Sequence, residues 1–444
     1  MKEKLIFFAL LYFKFFAKLQ LLKIRPFIIG VTGSAGKTST RNAIFSVIKQ
    51  KYRVKVSYKA NSESGIPLNI LGLTPKNFSI LEWLTLVILC PLKLITNWKK
   101  YDIYLVEMGI DSPKPPKNMG YLLTILKPDI GIVLNAAPMH SEPFDYLVTQ
   151  TDPEKRATEI TKLIAAEKGK IVTHLSKKKI AIINEDQKEI TDLKPKIQAK
   201  LITFGTKKTA TVQIVKYSVN TSGTEFLFRV NQEELYIQCS RQLLPQHFSQ
   251  TFAAAISTAV ALGIDLTTIK NGLETQFKLP PGRSSLIPGI AGSTLIDSSY
   301  NASTQPTLDM LELLVAVPGK RKIAVLADMR ELGAVAQIEH EKVAKRASEV
   351  CDAVLLIGPQ SKQFSLPIIE KTKTQVHWFE NAAAAADFLK KQLKKDDVIL
   401  IKGSQNTLLL EIAVEKLMAQ PKDAELLLAR RGEFWDQKRA ELKK

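Results

Sequence analysis

A chain of 444 residues with 45% hydrophobic content is long enough for two or three domains, each with a full core, and is neither a disordered nor a fibrous sequence. Its three cysteines, Cys90, Cys239 and Cys351, lie far apart without metal-ligand spacing, which excludes a disulfide framework and a zinc ribbon and fits a reduced, cytosolic compartment. The net charge of +20 points to anionic partners (nucleotide phosphates, a membrane surface or nucleic acid) or else to a merely basic, solvated surface.

Residues 5–22 are apolar but carry Lys14 and Lys18 and run into Lys23 and Arg25. The uncharged run before Lys14 is too short to span a bilayer, and no small-residue cleavage site follows, so neither a transmembrane helix nor a signal peptide is expected. Two readings stay open for this helix: it lies on a membrane face, or it packs on the protein's own core. The apolar stretch 80–95, broken by Glu82, Pro91 and Lys93, reads the same two ways.

PFIIGVTGSAGKTST follows as a buried strand, a small-residue loop and a helix from about residue 38 to 50. The runs 101–109, 128–138, 169–175 and 178–186 read as buried parallel strands ending in polar turns, with a helix over 152–168. Short alternations over 201–240 predict an antiparallel excursion, and 250–263 predicts an Ala-rich helix. The turn-rich LPPGRSS at 279–285 marks the expected boundary between domains 26–278 and 279–444, behind an apolar basic helix at 1–25. Beyond it, 293–303, 320–329, 351–358, 373–380 and 396–404 read as strands separated by helices, and 421–444 as a terminal helix with a solvated tail. The fold class is α/β: a P-loop central domain on a mostly parallel sheet, then a Rossmann-like domain without the dinucleotide glycine fingerprint.

The chemistry starts at the loop. Gly33, Ser34, Ala35 and Gly36 let backbone N–H groups close on an anionic oxygen, Lys37 adds a point charge, and the Thr38 hydroxyl suits Mg²⁺. Val31 stands where the general P-loop pattern wants glycine, so the match is to a narrower form, TGSxGKTST, which includes Ser39. Glu107 ends a strand beside the loop, where a second Mg²⁺ ligand belongs, or it is a solvated strand-end carboxylate. His140 lies just past another strand end, as a site residue or as a satisfied structural histidine. Lys168, taken alone, reads as a surface helix lysine. Asp297, Tyr300 and Asn301, and then Asp328 and Glu331, fall at successive strand ends of the second domain and line a crevice.

These segments together resemble the Mur ligase family of ATP-dependent amide-forming enzymes over roughly residues 26–420. TGSAGKTST resembles its phosphate loop, VEMGID its EMG motif, LNAAPMHSEPF its N-x-x-x-x-H segment and AAEKGKI the segment holding its carbamylated lysine. PGRSS, DSSYNAS, ADMRELG and IKGS resemble later motifs of the branch whose amine substrate is D-alanyl-D-alanine. The resemblance implies that Thr38 and Glu107 hold one Mg²⁺, that His140 and carbamylated Lys168 hold a second, and that Lys37 bridges the phosphates of ATP. It implies nucleotide contacts from Asn135, His247, Arg283, Asp297, Tyr300 and Asn301, and a phosphate or substrate contact from Lys402. The activity implied is joining an amine such as D-alanyl-D-alanine to a muramoyl-peptide carboxylate through an acyl phosphate, in the cytoplasm or on the inner face of the membrane.

Two departures stand out. The adenine-side segment reads QHFSQT at 246–251, keeping His247 without the family's two asparagines. The 25 residues ahead of the phosphate strand do not resemble the family's UDP-holding domain, so the expectation is that the uridine end is held differently or that the substrate is not a UDP compound. Two rivals remain: a Mur-like subunit that amidates a lipid-linked precursor with a glutaminase partner, and a membrane-surface nucleotide-binding module without ligase activity. Nucleic-acid binding is not expected, because Lys177–Lys179 lacks interleaved aromatics.

Overall fold

Five consecutive buried residues, Ile28 to Thr32, make β1 (Phe27–Thr32) a central strand rather than an edge. The computed structural model describes residues 2–58, 60–75, 80–137, 142–220, 222–240, 242–330, 332, 336–403 and 407–441. The chain divides into two units. The first comprises residues 1–216, 227–237 and 249–277, and the second comprises 217–226, 238–248 and 278–444.

In the first unit α1 (Lys2–Ile24) precedes β1, which is followed by α2 (Lys37–Ile48), β2 (Val54–Val56), α3 (Gly65–Leu71), α4 (Ile80–Thr96) and β3 (Ile103–Glu107). Next come α5 (Met119–Ile125), β4 (Ile130–Val133), α6 (Glu142–Asp145), α7 (Pro153–Thr173), β5 (Ile180–Asn184), α8 (Lys188–Thr191) and β6 (Lys200–Gly205). A meander of β7 (Val212–Asn220), β8 (Gly223–Val230) and β9 (Glu233–Ser240), of which residues 217–226 and 238–240 count with the second unit, leads to α9 (Phe248–Ala261) and α10 (Leu266–Asn271). Among the described residues nine strands form one sheet in the order β2-β3-β1-β4-β5-β6-β7-β8-β9. It is parallel from β2 through β7, so the antiparallel excursion starts one strand later than residue 201. Asn231 and Gln232 both take positive φ, as a tight hairpin turn between β8 and β9 requires. Strand order reverses at β1, so its carboxyl end is a topological switch point, where α/β sheets bind ligands.

One expected strand is a helix. Residues 169–173 are the last turn of α7, not the start of a strand at 169–175. Asp152 caps α7 by accepting from the Lys155 amide at 2.9 Å, and Ile160, Ile164 and Ile171 are buried at helical spacing, which carries the helix through the glycine at 169. α7 rests on a floor without side chains. Gly30 and Gly131 pair across β1 and β4, and a Cβ on Gly131 would lie 2.5 Å from the Ile171 carbonyl oxygen.

α1 and α4 pack on the same unit. Phe13 is fully buried with Leu68, Leu71, Leu86 and Cys90 around it. The Tyr12 hydroxyl donates to the Val87 carbonyl at 3.1 Å, Gln20 Nε2 to Asn97 O at 2.8 Å, and Lys23 Nζ to Leu94 O at 2.6 Å. Residue 12 of α1 meets residue 87, and residues 20 and 23 meet residues 97 and 94 at the far end, so α1 and α4 run parallel. No helix among the described residues is long and apolar enough to cross a membrane.

In the second unit β10 (Ser285–Pro288), β11 (Thr294–Ser298), α11 (Thr304–Ala316), β12 (Arg321–Ala327), α12 (Ala336–Val350), β13 (Ala353–Ile357), α13 (Leu366–Ile369) and β14 (Gln375–Phe379) come first. They are followed by α14 (Ala382–Lys390), β15 (Asp397–Lys402), α15 (Glu411–Leu417), α16 (Ala424–Leu427) and α17 (Glu433–Glu441). The sheet order is β10-β11-β15-β12-β13-β14, parallel except for β10. The expected solvated tail is corrected in part: Leu428, Ala429, Arg430 and Arg439 are buried. Asp328 does not line an open crevice either. It is buried, and its carboxylate accepts from the backbone amides of Gln360 and Ser361. Glu331 lies outside the described residues.

Candidate active site

β1 ends at Thr32 and α2 begins at Lys37, so four residues turn the chain at the switch point. Gly36 makes the turn with φ 79°, a conformation that glycine adopts without strain. It is the N-cap of α2, and no side chain caps the helix, which leaves amide N–H groups for an anionic oxygen. The loop is fastened to the segment after β4. Ser34 N donates to Asn135 O at 3.1 Å, Ala35 N to Asn135 Oδ1 at 2.9 Å, and Asn135 Nδ2 back to Ala35 O at 3.2 Å. Ser34 Oγ accepts from Ala137 N at 2.9 Å. Asn135 therefore shapes the loop with both ends of its amide. Lys37 Nζ donates to the carbonyls of Gly33 at 2.7 Å and Ser34 at 3.3 Å, so the ammonium lies across the loop. Its burial lowers its pKa, against the charges of Glu107 and Asp111, which raise it. Ser39, in the first turn of α2, is half-buried.

Glu107 comes to this loop because β3 pairs with β1 in the register Val31↔Glu107. It is buried, and its two carboxylate oxygens face different partners. Oε1 lies 2.8 Å from Arg41 Nη1, and Oε2 accepts from the Thr38 hydroxyl at 3.2 Å. Thr38 Oγ1 and Glu107 Oε2 are thus adjacent hard oxygen donors, the kind Mg²⁺ takes while keeping part of its water shell.

Lys168 is not a surface lysine. It is 4% exposed, and among the described residues it has no hydrogen-bond or ion-pair partner. Burial, helped by the Lys37 charge and opposed by Asp111, brings its pKa down to about 8. An amine in that range is partly neutral, hence nucleophilic, near neutral pH. Its neighbour Glu167 has a structural task, accepting from the Met119 amide at 3.0 Å. His140 lies outside the described residues.

The second unit holds its own cluster. Asp297, at the carboxyl end of β11, is fully buried, and its Oδ1 accepts from Ser299 N at 3.0 Å. Burial raises its pKa. Lys402 stands beside it in the register Ser298↔Lys402 and donates to the Asn301 carbonyl. Burial, together with the Arg283 charge, lowers Lys402 to about 8. Tyr300 N donates to Gly282 O at 3.0 Å, and the guanidinium groups of Arg283 and Arg430 lie 4.8 and 4.9 Å from the Tyr300 ring centroid. Arg283, Tyr300 and Asn301 are exposed at this loop, while Asp297 and Lys402 support it from beneath. His247 pairs with Asp309, Nδ1 to Oδ2 at 3.2 Å, in the second unit.

Three further residues complete these clusters. Arg41 lies one helical turn beyond Thr38, so its facing Glu107 follows once α2 is recognised. Asp111, in VEMGID, is close enough to bias both Lys37 and Lys168. Arg430, which donates to the Tyr300 carbonyl and pairs with Glu411 at 3.1 Å, carries no motif signal.

A model of the Mur ligase middle domain matches residues 31–259, and a model of the Mur ligase glutamate ligase domain matches residues 282–405. The chain is 26% identical over 399 residues to the UDP-N-acetylmuramoyl-tripeptide–D-alanyl-D-alanine ligase of Synechocystis sp., covering 88% of this chain and 75% of that protein. It is 25% identical over 395 residues to the protein of that name from Escherichia coli strain K12, covering 87% and 75%. The crystal structure of MurF ligase from Thermotoga maritima in complex with ADP has the same fold, with a TM-score of 0.68 at 22% identity over 94% of this chain and 84% of that one. The chain belongs to the Mur ligase family. It is an ATP-dependent, ADP-forming ligase of the amide-bond class.

Proposed function

We propose that this enzyme joins D-alanyl-D-alanine, or a closely similar amine, to the free carboxylate of a muramoyl peptide in peptidoglycan precursor synthesis. One observation carries the reading: the phosphate loop with Lys37, Thr38 and Glu107 lies in the same unit as a buried amine, Lys168, which has no partner among the described residues and whose burial disfavours its charged form. Residues 26–278 serve as the ATP-binding part and 279–444 as the C-terminal ligase part.

In the first step a carboxylate oxygen of the substrate attacks the γ-phosphorus of ATP and the bond to ADP breaks. The amine then attacks the acyl phosphate, inorganic phosphate leaves, and the nitrogen loses a proton. The protein's contribution is alignment and charge. Backbone N–H groups of residues 33–38 and the Lys37 ammonium hold phosphate oxygens. Thr38 and Glu107 would supply oxygen donors to one Mg²⁺, with Arg41 fixing which Glu107 oxygen faces the loop. Lys168, whose neutral amine would add to carbon dioxide with release of a proton to give a carbamate, would supply an anionic oxygen, with His140, to a second. Bound Mg²⁺ would neutralise charge on the transferring phosphoryl group. Asn135, His247, Arg283, Asp297, Tyr300 and Asn301 are nucleotide contacts, and Lys402 contacts the phosphate or substrate end.

The test is ADP release by the purified chain given ATP, Mg²⁺ and UDP-muramoyl tripeptide, with and without D-alanyl-D-alanine, and with ammonia in its place. Release that needs both the tripeptide and the dipeptide supports the proposal; release that needs only ammonia overturns the dipeptide assignment. We also infer peripheral contact with the inner face of a membrane, within reach of a precursor carried on lipid.

A further inference from the structure

α1 and α4 are apolar on the side that faces away from the protein. α1 buries Phe13 and Ala17, yet Phe8, Phe15 and Leu22, seven residues apart on its other side, are 67%, 57% and 66% exposed. α4 exposes Leu84, Ile88, Leu92 and Ile95 in the same way, at helical spacing. A helix that is apolar all round is normally buried all round, and these two are not. Because they run parallel, the two stripes follow the same direction and make one exposed apolar face, the mark of a binding surface.

The rim of that face is cationic. At the carboxyl ends of both helices Trp98 is 69% exposed, with the Lys23 ammonium 3.6 Å from its ring centroid, and Arg25, Lys99 and Lys100 are exposed beside it. An open cleft of about 500 Å³ lies there, lined in part by Arg25, Arg53 and Lys100. Two carboxylates also line it, but Asp102 is paired with Arg53 and Asp129 with Lys179. The segregation extends along the sequence: residues 4–62 hold twelve Lys and Arg and no Asp or Glu.

We infer that this face docks on a lipid bilayer with anionic headgroups. The apolar stripes enter the boundary between headgroups and acyl chains, and Trp98, Lys99, Lys100 and Arg25 meet the phosphates. The inference rests on the reading of peripheral membrane contact and assigns to it a surface, an orientation and a lipid class. Charge favours anionic headgroups over a second copy of the chain as the occupant, because the patch is net basic and pairing it with itself brings no net opposite charge to the rim.

The experiment sediments the full chain with vesicles of phosphatidylcholine alone or mixed with phosphatidylglycerol, at low and high salt. Binding to the mixed vesicles is expected, weakening with salt. Phe15→Gln with Ile88→Gln, both on the exposed side, should lower vesicle affinity about tenfold or more. Lys99→Gln with Lys100→Gln should lower it roughly 25-fold on mixed vesicles only, from about 1 kcal/mol per cation. ADP release and thermal melting of each variant, unchanged, show that the fold survives. Undiminished sedimentation of Phe15→Gln/Ile88→Gln overturns this surface and leaves membrane contact standing. No sedimentation of the native chain with either vesicle overturns both, whatever the ligase assay reads. A dimer that the apolar substitutions dissociate, without vesicle binding, assigns the face to a second copy and overturns the proposal.

Discussion

Arg41 and Glu107 form a buried ion pair, 2.8 Å from Nη1 to Oε1, and this pairing decides which oxygen of Glu107 is left for Thr38. Neither side chain is more than 6% exposed. Removing one partner of such a pair strands a buried charge, so Arg41→Met is expected to cost about 3–5 kcal/mol. Arg41→Met with Glu107→Leu should recover much of that loss while ADP release stays abolished. Urea unfolding and the ADP assay check both halves; equal instability of the single and double variants would show that the pair is not the source.

Lys37→Ala should reduce ADP release by about 10²-fold or more, because the loop loses the cation that lies across it. The variant should remain folded, since the ammonium's partners, the Gly33 and Ser34 carbonyls, belong to the loop and not to the hydrogen-bond ladders of β1 or α2. Near-normal turnover would remove the phosphate-loop assignment.

Lys168 is predicted to oppose stability and serve activity. Its pKa of about 8 in the fold lies below the ordinary 10.5, so the fold disfavours the charged amine. Below pH 8 that cost is present in full. Between pH 8 and 10.5 the unfolded chain binds the extra proton, so stability rises with pH across that window. Lys168→Met should therefore be more stable than the native chain at pH 7, by up to roughly 3 kcal/mol, and lose that part of the pH dependence. It should also lose ADP release, with partial recovery in short carboxylic acids that fill the anionic position. Full activity without additive would return Lys168 to a structural role.

Arg430 holds the Tyr300 loop by three means: a hydrogen bond to the Tyr300 carbonyl, the Tyr300 ring at 4.9 Å, and the ion pair with Glu411. As a positioning residue it should act on nucleotide binding. Arg430→Lys is expected to raise the KM for ATP about tenfold with little change in kcat, the loss of roughly 1.4 kcal/mol of uniform binding. A fall in kcat at unchanged KM would contradict a role through Tyr300.

Much of this was legible in the sequence because the long strands are continuous apolar runs ending in functional turns; β1, β3, β4 and β5 in the first unit and β11, β12 and β15 in the second all read that way. The run at 169–175 misleads for a physical reason. Ile171 and Val172 are buried on a sheet either as a strand in it or as a helix on it, and a short apolar run does not separate the two. β2 and β10 are too short to carry a period. Lys168 looks exposed by type, and only the packing of α7 shows that it is not. Arg430 is silent in the sequence because its partners, Tyr300 and Glu411, are 130 and 19 residues away.

The floor under α7 has a consequence for how this site tolerates change. Any side chain at Gly131 would press on the Ile171 backbone and lift the end of the helix that carries Lys168. The position of Lys168 thus depends on a residue that touches no substrate and holds no charge. A displacement of about 1 Å at a reacting group is enough to cost 10²-fold in rate. Gly131 is therefore a place where a single added methyl group would silence chemistry while leaving every site residue intact.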